Sequence, residues 1–140
     1  MTASENKPLA TSENVEQFHY SEILIDRARN PRNMKLPETY NGFAINDGYC
    51  GDMMSMWIMI EGNIVKNVTF HTDGCGPSIA SGSMATEIAR GKTVDEVRDI
   101  TPEKITQALG GLPADHEHCA SLAAGQLQLA LADYLHPRTD

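Results

Sequence analysis

The stretch IVKNVTFHTDGCGPSIASGSMATEIARGK, residues 64–92, decides the fold. Its opening IVKNVTFHT is rich in β-branched and aromatic residues and reads as a strand; from Pro77 onward the apolar residues take up helical spacing. Ala80, Met84 and Ile88 line one side of the predicted helix, and Ser78, Gly82, Ala85 and Ala89 line nearly the opposite side. That second stripe is small enough for another backbone to approach closely. Gly91 ends the helix. At the junction stands Cys75, between Gly74 and Gly76, whose freedom in φ leaves space for something bulky beside the main chain.

Two more strand-like runs lie upstream, GFAIND (42–47) and MMSMWIMI (53–60). Glu61-Gly62-Asn63 between the second and third runs is a hairpin signal. In the middle run Met54, Met56, Ile58 and Ile60 share one face and Met53, Trp57 and Met59 the other, so this strand is expected to be central or covered on both sides. Before the strands, HYSEILIDRARN places Tyr20, Ile23, Leu24 and Ala28 at helical spacing, and Pro31 stops that helix. Residues 29–41 read as a Pro- and Asn-rich loop.

Downstream, Thr93 and Glu96 stand in capping-box register. Thr101 is the expected N-cap of a helix with Pro102 at its first position and glycines at its end. A last helix is expected from about His116 to Leu135, with Leu127, Leu131, Tyr134 and Leu135 as its apolar stripe. Strands followed by helices imply an α+β fold: a three-stranded antiparallel sheet with an N-terminal helix and several C-terminal helices packed on it.

The chain of 140 residues suits one domain, and 41% hydrophobic content suits a globular one. We expect a tail over residues 1–17 and a single domain over 18–137. The tail has neither the apolar core of a secretory signal nor the Arg-rich pattern of a transit peptide, and no run is long enough to span a bilayer. A net charge of −8 argues against binding to nucleic acid backbones. No membrane association and a cytoplasmic location are expected. Three cysteines suit thiols or metal ligands in a reducing compartment better than a disulfide framework.

All three cysteines fall at ends of elements. Cys50 is in the turn between the first two strands, Cys75 precedes a helix, and Cys119 opens the last helix. Helix N-termini and unpaired N–H groups stabilise thiolates. The spacing contains no local CxxC motif, so a shared site must be assembled by the fold. Asp52 and His118 are both open as a fourth ligand, and three sulfurs with one oxygen or nitrogen suit tetrahedral zinc or an iron–sulfur cluster. The plainer alternatives are that each cysteine is a small buried hydrophobe, that Asp52 caps a turn, and that Trp57 and its methionines are core. His71 and His116 are read as ordinary surface residues.

The segments NPRNM, CGDMM, DGCGPSIASGSMATEIARGKTVDE, LGGLP and HCASLA, in that order, resemble the IscU/NifU-type iron–sulfur cluster scaffolds. The resemblance covers most of residues 20–135. It implies a three-stranded antiparallel sheet and makes Cys50, Cys75 and Cys119 the cluster-binding cysteines. Asp52 matches the family aspartate that affects cluster lability and can act as a ligand, and His118 matches the histidine beside the third cysteine. By the same resemblance the chain assembles a [2Fe–2S] cluster from iron and the persulfide sulfur of a cysteine desulfurase, and passes it to acceptor apoproteins. An iron or electron donor is a further implied partner, a homodimer is compatible with the site, and zinc is an expected occupant of the apo or purified form. The role is that of an assembly scaffold rather than a turnover enzyme.

The chain departs from the family pattern at LPADHEHC, where many bacterial members carry LPPVK for docking a heat-shock chaperone. Ala114, Asp115 and His116 replace its last three residues, which puts chaperone-assisted release in doubt and adds His116 as a second nitrogen near Cys119. The nearest alternative is the zinc-binding, SufU-like sulfur-transfer branch. That branch typically has an insertion between its second and third cysteines and lacks the adjacent histidine; here the interval is uninterrupted and His118 is present. A Cys75–His118–Asp52 nucleophilic set for acyl transfer lacks any companion oxyanion motif. A purely structural interaction module would be indifferent to loss of all three cysteines.

Overall fold

The computed structural model describes residues 20–46 and 53–136. The expected tail and the positions of Cys50 and Asp52 lie outside the described residues. Helix α1 spans Glu22–Arg29, with the Ser21 hydroxyl accepting from the Leu24 N–H at its start. Three strands follow, β1 Gly42–Asn46, β2 Met54–Glu61 and β3 Ile64–Thr72, then helix α2 Gly76–Ala89. Short helices α3, Val94–Arg98, and α4, Pro102–Ala108, lead to a 3₁₀ turn at Ala114–His116 and the long helix α5, Glu117–Leu135.

The sheet is antiparallel in the order β1-β2-β3. The β2–β3 hairpin turns through Gly62 and Asn63, whose φ values of +58° and +67° are those of a two-residue I′ turn. Met54, Met56, Ile58 and Ile60 form the buried face of β2, as the alternation predicts. The opposite face is covered less completely: Trp57 and Met59 are half-buried, and Trp57 packs against Phe43 of the neighbouring strand at a ring separation of 5.5 Å. Central placement came from pairing on both edges rather than from cover on both faces.

Helix α2 lies over β3 and also touches α1, α4 and α5, so it is buried on nearly every side. Its small residues make this possible. A Cβ at Gly82 would stand 2.4 Å from the Phe70 ring, so what approaches the small stripe here is an aromatic side chain rather than another backbone. The capping box at Thr93/Glu96 forms in full, and Thr101 caps α4 as expected. Gly110 and Gly111 end α4 at positive φ.

The N-terminal helix docks more narrowly than its apolar spacing implied. Leu24 is buried and Ala28 packs on the core, whereas Tyr20 and Ile23 are 47% and 43% exposed. Polar bonds hold the rest: Arg27 donates to both Glu87 carboxylate oxygens of α2, at 2.7 and 2.9 Å. The loop after α1 is fastened to the same helix. The Arg32 N–H donates to Ser83 Oγ, Asn33 Nδ2 donates to Thr86 Oγ1, and Asn33 itself sits at φ +65°. Among the described residues no helix is long and apolar enough to cross a membrane.

Candidate metal centre

Two chain junctions meet at one end of the molecule. The first is β3-to-α2, where the backbone turns through Asp73, Gly74 and Cys75. Thr72 Oγ1 accepts from the Gly74 N–H at 3.1 Å and donates to the Met53 carbonyl, while the Met53 N–H donates to Asp73 Oδ1 at 3.0 Å. These bonds tie the start of β2 to the turn that carries Cys75. Asn46 pairs with Met54, and Met54 with Thr72, so the β1–β2 connection leaves and rejoins the sheet at this same end.

Cys75 occupies the N-cap of α2 in extended backbone, and its sulfur makes no capping bond to the helix. The second junction is the 3₁₀ turn into α5. It places His116 at the N-cap of α5 and Cys119 in the first turn. Because α2 packs against α5, both N-termini converge, and their partial positive charges favour anionic cargo between them.

The ligand atoms of Cys75, His116 and Cys119 all lie within 4.8 Å of one another. Cys75 Sγ is 3.9 Å from His116 Nδ1. His118 Nε2 lies 3.8 Å from Cys119 Sγ, and the two histidine rings stack with centroids 6.2 Å apart. Cys75 is exposed, Cys119 is 0% exposed and His118 is exposed. Such a sulfur-rich set with an imidazole can hold a soft or borderline metal.

Of the two readings of His116, an ordinary surface residue or a second nitrogen near Cys119, the fold favours the second: it brings His116 into the mutually close set. The signal was available. His116 precedes Cys119 by three residues at the entrance of a helix, and positions i and i+3 share a face, whereas His118 precedes it by one. The glycines beside Cys75 differ from expectation: among the described residues the glycines at positive φ are Gly62, Gly91, Gly110 and Gly111. Gly76 has an ordinary helical role, and a Cβ there would meet Ala28 at an unstrained 3.5 Å. His71 is exposed, as read.

The sequence profile of the NifU-like N terminal domain matches residues 19–140. The iron-sulfur cluster assembly scaffold protein IscU 1 of Archaeoglobus fulgidus is 41% identical over 116 residues, covering 82% of this chain and 76% of that protein. The IscU scaffold of Escherichia coli K12 is 36% identical over 124 residues, covering 85% of this chain and 96% of that one. Among solved structures, the N-terminal NifU-like protein of Brucella abortus shares the fold with a TM-score of 0.67 at 13% identity, covering 84% of this chain and 95% of its own. An assembly scaffold described for the SUF system of Fervidobacterium islandicum shares it with a TM-score of 0.62 at 20% identity, covering 80% and 96%. With the fold, the profile and the identities in agreement, this chain belongs to the NifU-like N-terminal domain family, which it shares with the IscU scaffolds.

Proposed function

We propose that this chain is a scaffold on which an iron–sulfur cluster is assembled and from which it is handed to acceptor proteins. The cluster is cargo, not a resident cofactor. The observation that carries the reading is the convergence of Cys75, His116 and Cys119 at two facing helix N-termini, in a chain whose relatives are named as scaffolds for this task. Cys50 completes the thiolate set, with Asp52, His118 or His116 as the harder ligand. A mixed ligand set is a reasonable compromise for a protein that must both hold and surrender its cargo.

The finer reading is a [2Fe–2S] cluster built from iron and the persulfide sulfur of a cysteine desulfurase, with an electron donor completing the chemistry. Persulfide formation moves a sulfane sulfur from the donor cysteine to a scaffold thiolate, leaving the donor as a thiol. The rate of such a step rises with the thiolate fraction and with access. Cys75, exposed at the entrance of α2, meets the condition of access. Two sulfurs and an imidazole within 4.8 Å also suit tetrahedral zinc, so a zinc-loaded form, as in the SufU-like sulfur-transfer reading, is the second state to look for.

The test is a transfer experiment. The chain is incubated anaerobically with iron, cysteine, reductant and a cysteine desulfurase, separated, and mixed with an apo-ferredoxin. Visible absorption should appear on the scaffold and then move to the acceptor. A chain that stays colourless, or whose colour cannot be passed on, contradicts the reading.

A further inference from the structure

The two described cysteine sulfurs are linked by a third side chain that the sequence reading treated only as part of a small-residue stripe. Ser78 Oγ lies 3.3 Å from Cys119 Sγ and 3.7 Å from Cys75 Sγ. Ser78 and Cys119 are both 0% exposed, so bulk water does not compete for this contact. The placement follows from the helix. Ser78 is three residues after Cys75, in the first turn of α2, which sets it on the same face as the cysteine and against the first turn of α5.

A hydroxyl has one proton and two acceptor sites. Beside a thiol it can donate or accept. Beside a metal-bound thiolate, which has no proton to give, it can only donate. With one proton and two sulfurs in reach, the hydroxyl serves the nearer of them, Cys119 at 3.3 Å rather than Cys75 at 3.7 Å. A hydrogen bond to a ligating sulfur draws charge from it, and such bonds are among the ways proteins tune thiolate-bound metals.

We infer that Ser78 is a positioning residue of this site. Its hydroxyl donates to Cys119 Sγ in the metal-loaded state, orients that buried sulfur and adjusts how strongly it holds its metal. The inference rests on Cys75 and Cys119 being ligands. The helix also supplies a comparison: Ser81, three residues on, is equally buried, and its Oγ has no hydrogen-bond partner among the described residues. Replacing it removes a buried hydroxyl without touching a sulfur contact.

The experiment is anaerobic titration of the full chain with cobalt(II), comparing wild type, Ser78→Ala and Ser81→Ala. Alanine is smaller and a better helix former than serine, so both variants should keep the fold, which circular dichroism checks. Wild type should show sulfur-to-cobalt charge-transfer bands. Ser78→Ala should move them to lower energy and weaken cobalt binding about two- to tenfold, the effect of one lost hydrogen bond. Ser81→Ala should do neither. Bands and affinity unchanged in Ser78→Ala, or the same shift in Ser81→Ala, would overturn the role of Ser78 while leaving the ligands in place. Absence of sulfur charge transfer in wild type would overturn the ligand assignment itself, and this inference with it.

Discussion

Cys75 Sγ and His116 Nδ1 stand 3.9 Å apart although 41 residues separate them in the chain. Each belongs to the N-cap of a helix, and the packing of α2 on α5 holds the two caps face to face. The junction is thus positioned by a rigid helix pair, while the ligands themselves sit on the turns that enter those helices.

That geometry separates the two histidines. Replacing His116 with alanine should weaken zinc or cobalt(II) affinity by at least about tenfold, as losing a group that contacts the metal does. His118→Ala should cost less, since His118 is exposed and sits beside Cys119 rather than in the mutually close set. Competition titration with a chromophoric chelator measures both. A larger loss in His118→Ala would reverse the assignment.

Reactivity should follow burial. In the metal-free chain, iodoacetamide should modify Cys75 well ahead of Cys119, because the first is exposed and the second is 0% exposed. Peptide mass spectrometry over a time course reads the two sites separately, and zinc should protect both. Equal rates at the two cysteines would mean that Cys119 is more accessible than the fold implies.

Two glycines should respond in opposite directions. Gly82→Ala pushes a methyl group into the Phe70 ring, which is fully buried and cannot move aside, and should destabilise the protein by about 1–3 kcal/mol. Gly125→Ala, inside α5 with no atom of the described residues beyond its chain neighbours and its own helix backbone within 4 Å of the added carbon, should stabilise it by about 0.5–1 kcal/mol. Urea unfolding of both variants checks the pair. A neutral Gly82→Ala would contradict the packing of α2 on β3.

Acid should loosen the attachment of α1. Burial pushes the Glu87 carboxyl upward, but hydrogen bonds from Arg27 and Ser83, with the charges of Arg27 and Arg32, outweigh it and hold the group below its ordinary 4.5. A carboxyl that binds its proton less tightly when folded contributes fully above its unfolded pKa and loses that contribution as pH falls through the folded value. Glu87→Gln should therefore lower the melting temperature at pH 7, and the gap to wild type should shrink as the pH falls below 4.5 and through the lowered folded value. A gap of the same size at pH 7 and pH 3 would remove the ion pair from the explanation.

Much of this was legible from local chemistry. The change from strand to helical spacing across Cys75 located the β3–α2 junction. The Gly62-Asn63 turn and the caps at Thr93 and Thr101 set element boundaries through backbone preferences that tertiary context did not override. What local pattern could not supply was depth. Tyr20 and Ile23 carry the same helical spacing as Leu24, yet only docking against α2 decides which of them is covered. For the same reason His116 stood open between a surface residue and a second nitrogen near Cys119 until α5 was set against α2. Its three-residue offset from Cys119 was the clue, but the sulfur it approaches, Cys75, comes from a distant part of the chain.

The assignment of Cys75 and Cys119 as cluster ligands is tested most directly by Mössbauer spectroscopy after anaerobic reconstitution with iron-57 and a cysteine desulfurase. Wild type should show the quadrupole doublets of a diamagnetic [2Fe–2S] centre, and Cys75→Ala and Cys119→Ala should each fail to retain it. A colourless wild-type chain that keeps one tightly bound zinc and takes up no iron or sulfide would contradict the scaffold reading and favour the zinc-binding one.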